Sequence, residues 1–276
     1  MDLKEFKKGI ENPQKAIFSF ISAIYNIFID LKWRKKSIPP RVLKEFKKVR
    51  EISKMSTKTD LILHELEEIQ KRSMKRTDIN DHLITIFIES LDIKPKLAVE
   101  LGVRGGESNF ILESVAKLCD STLVSVDIED CSDVSSYKKW FFIHNDDIKF
   151  ARKFERWCKK HEIQPKIDIL FVDTSHIFEH TCQEIESWFP FLSEQSKVFF
   201  HDTNVKKLYI RRDGSMGAGR NNNRGVIRAL EKYFNNDLNE NKDFIEIREG
   251  WLIKHYANCN GLTILEKAFH SPRDEK

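Results

Sequence analysis

Five acidic residues sit in or just after short apolar runs: Glu100, Asp127, Asp146, Asp173 and Asp202. Carboxylates in such places can accept hydrogen bonds from hydroxyls and amines, share a hard cation through oxygen, or orient a base. Between the first two lies Gly102-Val103-Arg104-Gly105-Gly106-Glu107-Ser108. Glycines let a backbone turn sharply and approach a ligand, and a helix starting there offers free N–H groups. Val103-Arg104 separates Gly102 from Gly105, so this is no dinucleotide fingerprint, and no G-x-x-x-x-G-K-[ST] loop occurs. His176 follows Asp173 and His201 precedes Asp202. His176-Ile177-Phe178-Glu179-His180 also matches H-x-x-E-H, in which two histidines bind zinc and the glutamate acts as base.

Such residues work together only if a scaffold gathers the ends of the runs. Lys96–Leu101, Thr122–Asp127, Trp140–His144, Ile167–Asp173 and Lys197–His201 read as strands. Asn109–Leu118, Phe150–His161, Phe178–Phe189 and Gly225–Phe234 read as helices between and after them. Phe244–Ile247, Leu252–Ala257 and Gly261–Leu265 read as strands with no helix among them. The alternation predicts an α/β fold: a mostly parallel sheet, helices on both faces, and an antiparallel C-terminal hairpin. Ligands of such sheets bind beyond the carboxyl ends of the strands. There Asp127 is placed to accept two ribose hydroxyls, and Asp146 the amino group of a purine.

Val99–Ser108 (VELGVRGGES), Val124–Asp130 (VSVDIED), Ile169–Leu192 and Val198–Thr203 (VFFHDT) resemble the class I S-adenosylmethionine-dependent methyltransferases. The likeness is to the bacterial branch of macrocin-type sugar O-methyltransferases and cephalosporin-hydroxylase-like proteins, and covers about Leu83 to Leu265. It implies a Rossmann-like sheet and S-adenosyl-L-methionine as cofactor. Gly102, Arg104 and Ser108 would hold the methionine end, Glu100 would face its ammonium group, Asp127 with Ile128 the ribose side, and Asp146 the adenine. Asn145 stands where a glycine often precedes that last aspartate. The branch commonly carries D-x-x-H-x-x-E, matched by Asp173, His176 and Glu179, which makes His176 the base for an acceptor hydroxyl. Metal-dependent relatives have three acidic ligands. Here Asp173 and Asp202 would hold Mg²⁺, with His201 where some relatives have a second acid. The implied activity is O-methylation of a sugar hydroxyl on a glycan, nucleotide-sugar or natural product. A zinc hydrolase built on His176, Glu179 and His180, and a cofactor-binding relative with a non-methylating role, are the alternatives.

Charge divides the 276 residues differently. Residues 1–80 hold 19 Lys+Arg against 11 Asp+Glu, and the rest 28 against 32. The acidic balance of the body excludes a general nucleic-acid binder. We expect a basic, helical N-terminal extension over 1–80, a cofactor-binding domain over 81–270 and a polar tail over 271–276. Gln14–Trp33 reads as a helix with a broad apolar face beside Lys32, Arg34, Lys35 and Lys36, suited to a membrane surface, a partner or a second copy of the chain. Residues 41–76 read as amphipathic helix broken near Ser56-Thr57. Five cysteines without a C-x-x-C pair, a charged start after Met1 and no apolar run of about 20 residues predict a cytoplasmic protein. Arg211–Arg224 (RRDGSMGAGRNNNR) is expected to lack core structure and to close over an anionic acceptor through Arg220 and Arg224.

Overall fold

The computed structural model describes residues 57–75, 77–210, 216–219 and 222–268. The expected helix over Gln14–Trp33 lies outside them. Two compact units are delimited, Met1–Glu67 and Glu68–Lys276. Helix α1 spans Thr57–Ser73, and the residues ahead of the break expected near Ser56-Thr57 lie outside those described. No helix among the described residues is long and apolar enough to cross a membrane.

The second unit is built on one eight-stranded sheet. Its strands are β1 (Leu97–Leu101), β2 (Thr122–Asp127), β3 (Trp140–His144), β4 (Ile167–Val172), β5 (Leu192–His201), β8 (Phe244–Arg248), β9 (Trp251–Tyr256) and β10 (Leu262–Lys267), ordered β3-β2-β1-β4-β5-β10-β9-β8. The first five are parallel; β10 runs antiparallel to β5 and continues into an antiparallel β9 and β8. Chain direction reverses in strand order at β1, which opens a crevice between β1 and β4. The expected α/β sheet with an antiparallel C-terminal hairpin is the one observed.

Strand periodicity sorts the sheet faces. Leu97, Val99 and Leu101 join one core with Val124, Val126, Val172, Val198 and Phe200. That face is covered by α4 (Asp147–Lys160), α5 (Phe178–Trp188) and α6 (Gly225–Phe234), which supply Phe150, Phe154, Ile185, Trp188, Ile227 and Leu230. Phe154 lies edge-on to both Trp188 and Phe191, with ring centroids 5.1 Å apart in each case. On the opposite face lie α2 (Leu83–Asp92) and α3 (Glu107–Cys119), rich in Leu83, Ile86, Phe87, Ile111 and Leu112.

Three elements depart from the sequence reading. Helix α2 was not foreseen, because its β-branched run LITIFIE reads as readily as a strand. Strand β5 begins at Leu192 rather than Lys197: the polar stretch Ser193–Ser196 disguises it, and a register shift between Ile167 and Ile169 on β4 absorbs it. Part of Arg211–Arg224 is ordered, since β7 (Met216–Ala218) pairs with β6 (Leu208–Ile210) in a ribbon held by backbone bonds that need no side-chain pattern.

One buried cation fastens α2 to the sheet. Lys197 of β5 is 1% exposed, and its Nζ lies 2.6 Å from Glu89 Oε2 and 3.1 Å from Asp92 Oδ2. Lys254 of β9 reaches the same Glu89 carboxylate at 2.9 Å and Glu266 of β10 at 3.3 Å. Burial works against the charge on Glu89, but Lys197 and Lys254 outweigh it and hold the carboxyl below its ordinary value. Burial likewise opposes the Lys197 ammonium, and Glu89 reverses the effect. Removing one partner of such a pair strands a charge in the interior. Glu89→Ala is therefore expected to lower unfolding free energy by about 3–5 kcal/mol, measured by urea denaturation, whereas Glu246→Ala on the exposed pair with Arg248 should cost under about 1 kcal/mol.

Candidate active site

The carboxyl end of β1 meets that of β4 at backbone distance. Asp173 N–H donates to Leu101 O and Gly102 N–H to Val126 O, both at 2.9 Å, so the sheet ladder runs on past the strands. A Cβ on Gly102 would stand 2.1 Å from Asp173 O, and its φ is +87°, so only glycine fits. Beyond it the turn is organised by Asp127, whose Oδ2 accepts from Val103 N–H (2.7 Å) and Arg104 N–H (3.0 Å), and whose Oδ1 accepts from Glu129 N–H. Arg104 points its exposed guanidinium to Asp78 at 3.3 Å. Ile128 is 71% exposed beside this turn, and Asp146 caps α4 by accepting from Lys149 N–H. Gly102, Arg104, Asp127, Ile128 and Asp146 thus line the carboxyl edge of β1, β2 and β3.

Glu100 and Ser108 lie deeper. Glu100 is fully buried and accepts from Ser108 Oγ (2.7 Å), Asn109 Nδ2 (2.7 Å) and Ser125 Oγ (2.6 Å). The Ser108 hydroxyl is therefore spent on Glu100. Burial pushes the Glu100 carboxyl up to about 7 against its three donors. Asn109 and Ser125 were missed as partners of this carboxylate; the signal was Ser125, a hydroxyl flanked by valines in TLVSVD and directly opposite Glu100 in the β1–β2 register.

Four side chains from the ends of β4 and β5 converge. His176 Nε2 lies 2.9 Å from Asp202 Oδ2 and 3.2 Å from Asp173 Oδ1. His201 Nδ1 lies 3.3 Å from Asp173 Oδ2 and 3.6 Å from Asp202 Oδ1, close but misaligned, so Nδ1 and that Oδ1 have no hydrogen-bond partner among the described residues. His201 is held from behind by Asp78 O, 3.2 Å from Nε2. His176 and Asp202 both take φ +56°, a conformation costly for non-glycine residues and kept where the surroundings demand it. Part of that demand comes from Gly225 at the start of α6, where a Cβ would lie 2.1 Å from His176 O.

Charge explains how the cluster is stable. Burial would favour neutral groups throughout, yet His201 and His176 hold Asp173 well below the ordinary carboxylate range. Hydrogen bonding to Asp173 and Asp202 overcomes burial and lifts His176 to about 10, and the Asp173 charge lifts His201 to about 9. Ligand atoms of Asp173, His201 and Asp202 all lie within 4.8 Å of one another, and two of the cluster's buried polar atoms are unmatched, so the donor set fits a divalent cation.

The zinc-peptidase geometry is not formed. His176 precedes α5 and turns to Asp173 and Asp202, while His180 turns to Asp147 (3.1 Å) and Glu184 (3.7 Å). A chain that bends through left-handed φ between strand and helix cannot present the two imidazoles one helical turn apart. Arg220 lies outside the described residues. Arg224, expected to contact an acceptor, has its guanidinium bound by Glu240 at 2.6 Å and Glu231 at 2.8 Å, which ties the start of α6 to the chain before β8.

The buried acid sets a pH dependence. An acid held up to about 7 in the folded chain and titrating near 4.5 when unfolded stabilises most below pH 4.5, and that stability is lost as pH rises to 7. The loss is on the order of 3 kcal/mol. Glu100→Gln keeps the shape, and Ser108 can turn its hydroxyl to accept. Stability of the variant, followed by denaturant midpoint from pH 4.5 to 7, is expected to lack this part of the wild-type slope.

Residues 99–203 match the family model described as "Methyltransferase domain". No curated protein matches the chain. Among solved structures, it is similar to the MycE methyltransferase of mycinamycin biosynthesis in complex with Mg, SAH and mycinamycin VI (18% identity, TM-score 0.48, covering 76% of this chain and 56% of that one). It is also similar to SAH-bound PaMTH1 from Podospora anserina (12%, 0.49, 74% and 88%) and to CalS11, a TDP-rhamnose 3'-O-methyltransferase of calicheamicin biosynthesis (13%, 0.44, 83% and 95%). The chain spans little more than half the length of MycE. The family match takes in the end of β1, all of β2 to β5 and every member of the Asp173, His176, His201 and Asp202 cluster.

Proposed function

We propose that the chain is a cytoplasmic S-adenosylmethionine-dependent methyltransferase that transfers a methyl group to a sugar hydroxyl. One observation carries the reading: the glycine turn after β1 and the His176–Asp173–Asp202 cluster are joined back to back through Gly102 and Asp173. A turn able to seat a cofactor thus adjoins groups able to take a proton from an acceptor. The likeness of Ile169–Leu192 and Val198–Thr203 to macrocin-type enzymes favours a sugar as that acceptor.

The bound cofactor supplies an electrophilic methyl group on a sulfonium, so the chain has only to bind, align and deprotonate. Asp127 carries lone pairs beyond those used by backbone N–H groups and can accept ribose hydroxyls. Exposed Ile128 offers an apolar surface to the base, and Asp146 keeps acceptor capacity for its amino group. Glu100 braces the turn through Ser108 and Asn109 rather than reaching the cofactor directly. At neutral pH His176 holds its proton between Asp173 and Asp202, and acting as base requires that it yield it. Asp173 and Asp202 would hold a divalent cation whose charge both relieves this demand and acidifies a hydroxyl. His201, a nitrogen donor, would suit Mn²⁺ better than Mg²⁺ as a third ligand.

Calorimetric titration of S-adenosylmethionine and S-adenosylhomocysteine into the full chain tests the cofactor. Both are expected to bind, and Asp127→Asn to weaken them about 10- to 100-fold, the worth of hydrogen bonds to a charged group. His176→Ala is expected to leave that binding intact and to lower kcat on a sugar acceptor by about 10²–10⁴-fold. A folded wild-type chain that binds neither compound overturns the reading; binding without turnover on any hydroxyl acceptor overturns the methyl transfer.

A further inference from the structure

A second cluster of ligating side chains lies apart from Asp173 and Asp202. His180 and Glu184 stand one turn apart on α5 and share a face. Asp147, in the first turn of α4, meets them there: His180 Nε2 is 3.1 Å from Asp147 Oδ1 and 3.7 Å from Glu184 Oε1. Asp147 is 6% exposed and Glu184 1% exposed, yet Asp147 Oδ2 and Glu184 Oε2 have no hydrogen-bond partner among the described residues. Two buried carboxylates with unmatched oxygens, facing one imidazole, form a donor set that a cation would complete.

We propose that Asp147, His180 and Glu184 form a binding site for a divalent transition-metal ion, bracing α4 against α5. Metal–ligand bonds of about 2.0–2.2 Å place neighbouring donors about 3–3.5 Å apart; the His180–Asp147 spacing of 3.1 Å lies within that range and the His180–Glu184 spacing of 3.7 Å just above it. One imidazole nitrogen with two carboxylate oxygens suits Zn²⁺, Co²⁺ or Mn²⁺ over Mg²⁺ and Ca²⁺. Thr174 Oγ donates to Glu184 Oε1 at 2.7 Å and fixes one ligand from outside, as supporting groups do around bound metals. His180 is 24% exposed and gives the ion a way in. The ion would tie Asp147, next to the Asp146 cap, to Thr174, next to Asp173. The proposal does not depend on the methyltransferase reading.

Co²⁺ titration of the full chain, followed by visible d–d absorption and by metal content after gel filtration, tests it. His180→Gln and Glu184→Gln are each expected to remove one equivalent, or to weaken it more than the 10–100-fold typical of an outer partner. Asp202→Asn should leave that equivalent in place. Zn²⁺ should raise the Tm of the wild type by mass action more than it raises that of His180→Gln. Two conservative variants keep the test decisive if one fails to fold by circular dichroism. Co²⁺ stoichiometry and affinity unchanged in either folded variant, or a wild-type chain that takes up no Co²⁺, overturns the site.

Discussion

The contact between the end of β1 and the end of β4 governs what the rest of the molecule can do. Gly102 and Asp173 lie so close that no side chain fits between them, and the Asp173 N–H completes its bond to Leu101. From that junction the chain leaves in two directions, one into the Asp127-braced turn and one into the left-handed bend at His176. Either alone is a common loop. Joined through two backbones they share one mouth of the sheet, and a displacement of one is felt by the other.

Such a junction needs a rigid support, and here much of it is polar. Glu100 lies inside the layer between β1 and α3 and satisfies three donors; Lys197 lies inside the layer between β5 and α2 and satisfies three carboxylates. The two work by opposite means. Burial moves Glu100 toward its neutral form, so its donors bind a weakly charged group, whereas Lys197 and Glu89 remain ions because each pays the other's desolvation. The first adjusts with pH near neutrality; the second does not.

The parallel strands, helices α3 to α6 and the acids at the strand ends were legible because each leaves a local trace: an apolar run, a helical period, a charge just past it. Gly225–Phe234 was read to the residue. What was hidden lacked such a trace. Helix α2 has a strand's composition, the start of β5 has a loop's polarity, and β6–β7 is held by backbone alone. Within the site, Asp173 and Asp202 were named from their places at strand ends and His176 and His201 from the family resemblance, and the structure brings the four together. The direction of Glu100 and Ser108 was not readable, because alternation along β1 sends Glu100 toward α3 whatever its charge suggests. Arg224 is a related case. A basic residue in a polar segment looks free until Glu231 and Glu240, seven and sixteen positions later, are seen to hold it.

The separation of His176 from His180 shows how topology decides among chemistries that a motif leaves open. Four residues apart on a continuous helix they would address one ion. The helix instead starts at Phe178, and the left-handed residue ahead of it turns His176 toward the end of β5 while His180 stays with α4. The same five residues therefore feed two polar clusters on either side of Thr174, which lies between Asp173 in chain order and Glu184 in hydrogen bonding. A motif defined by spacing presumes its secondary structure; where the chain bends inside it, each residue answers to its nearest carboxylates.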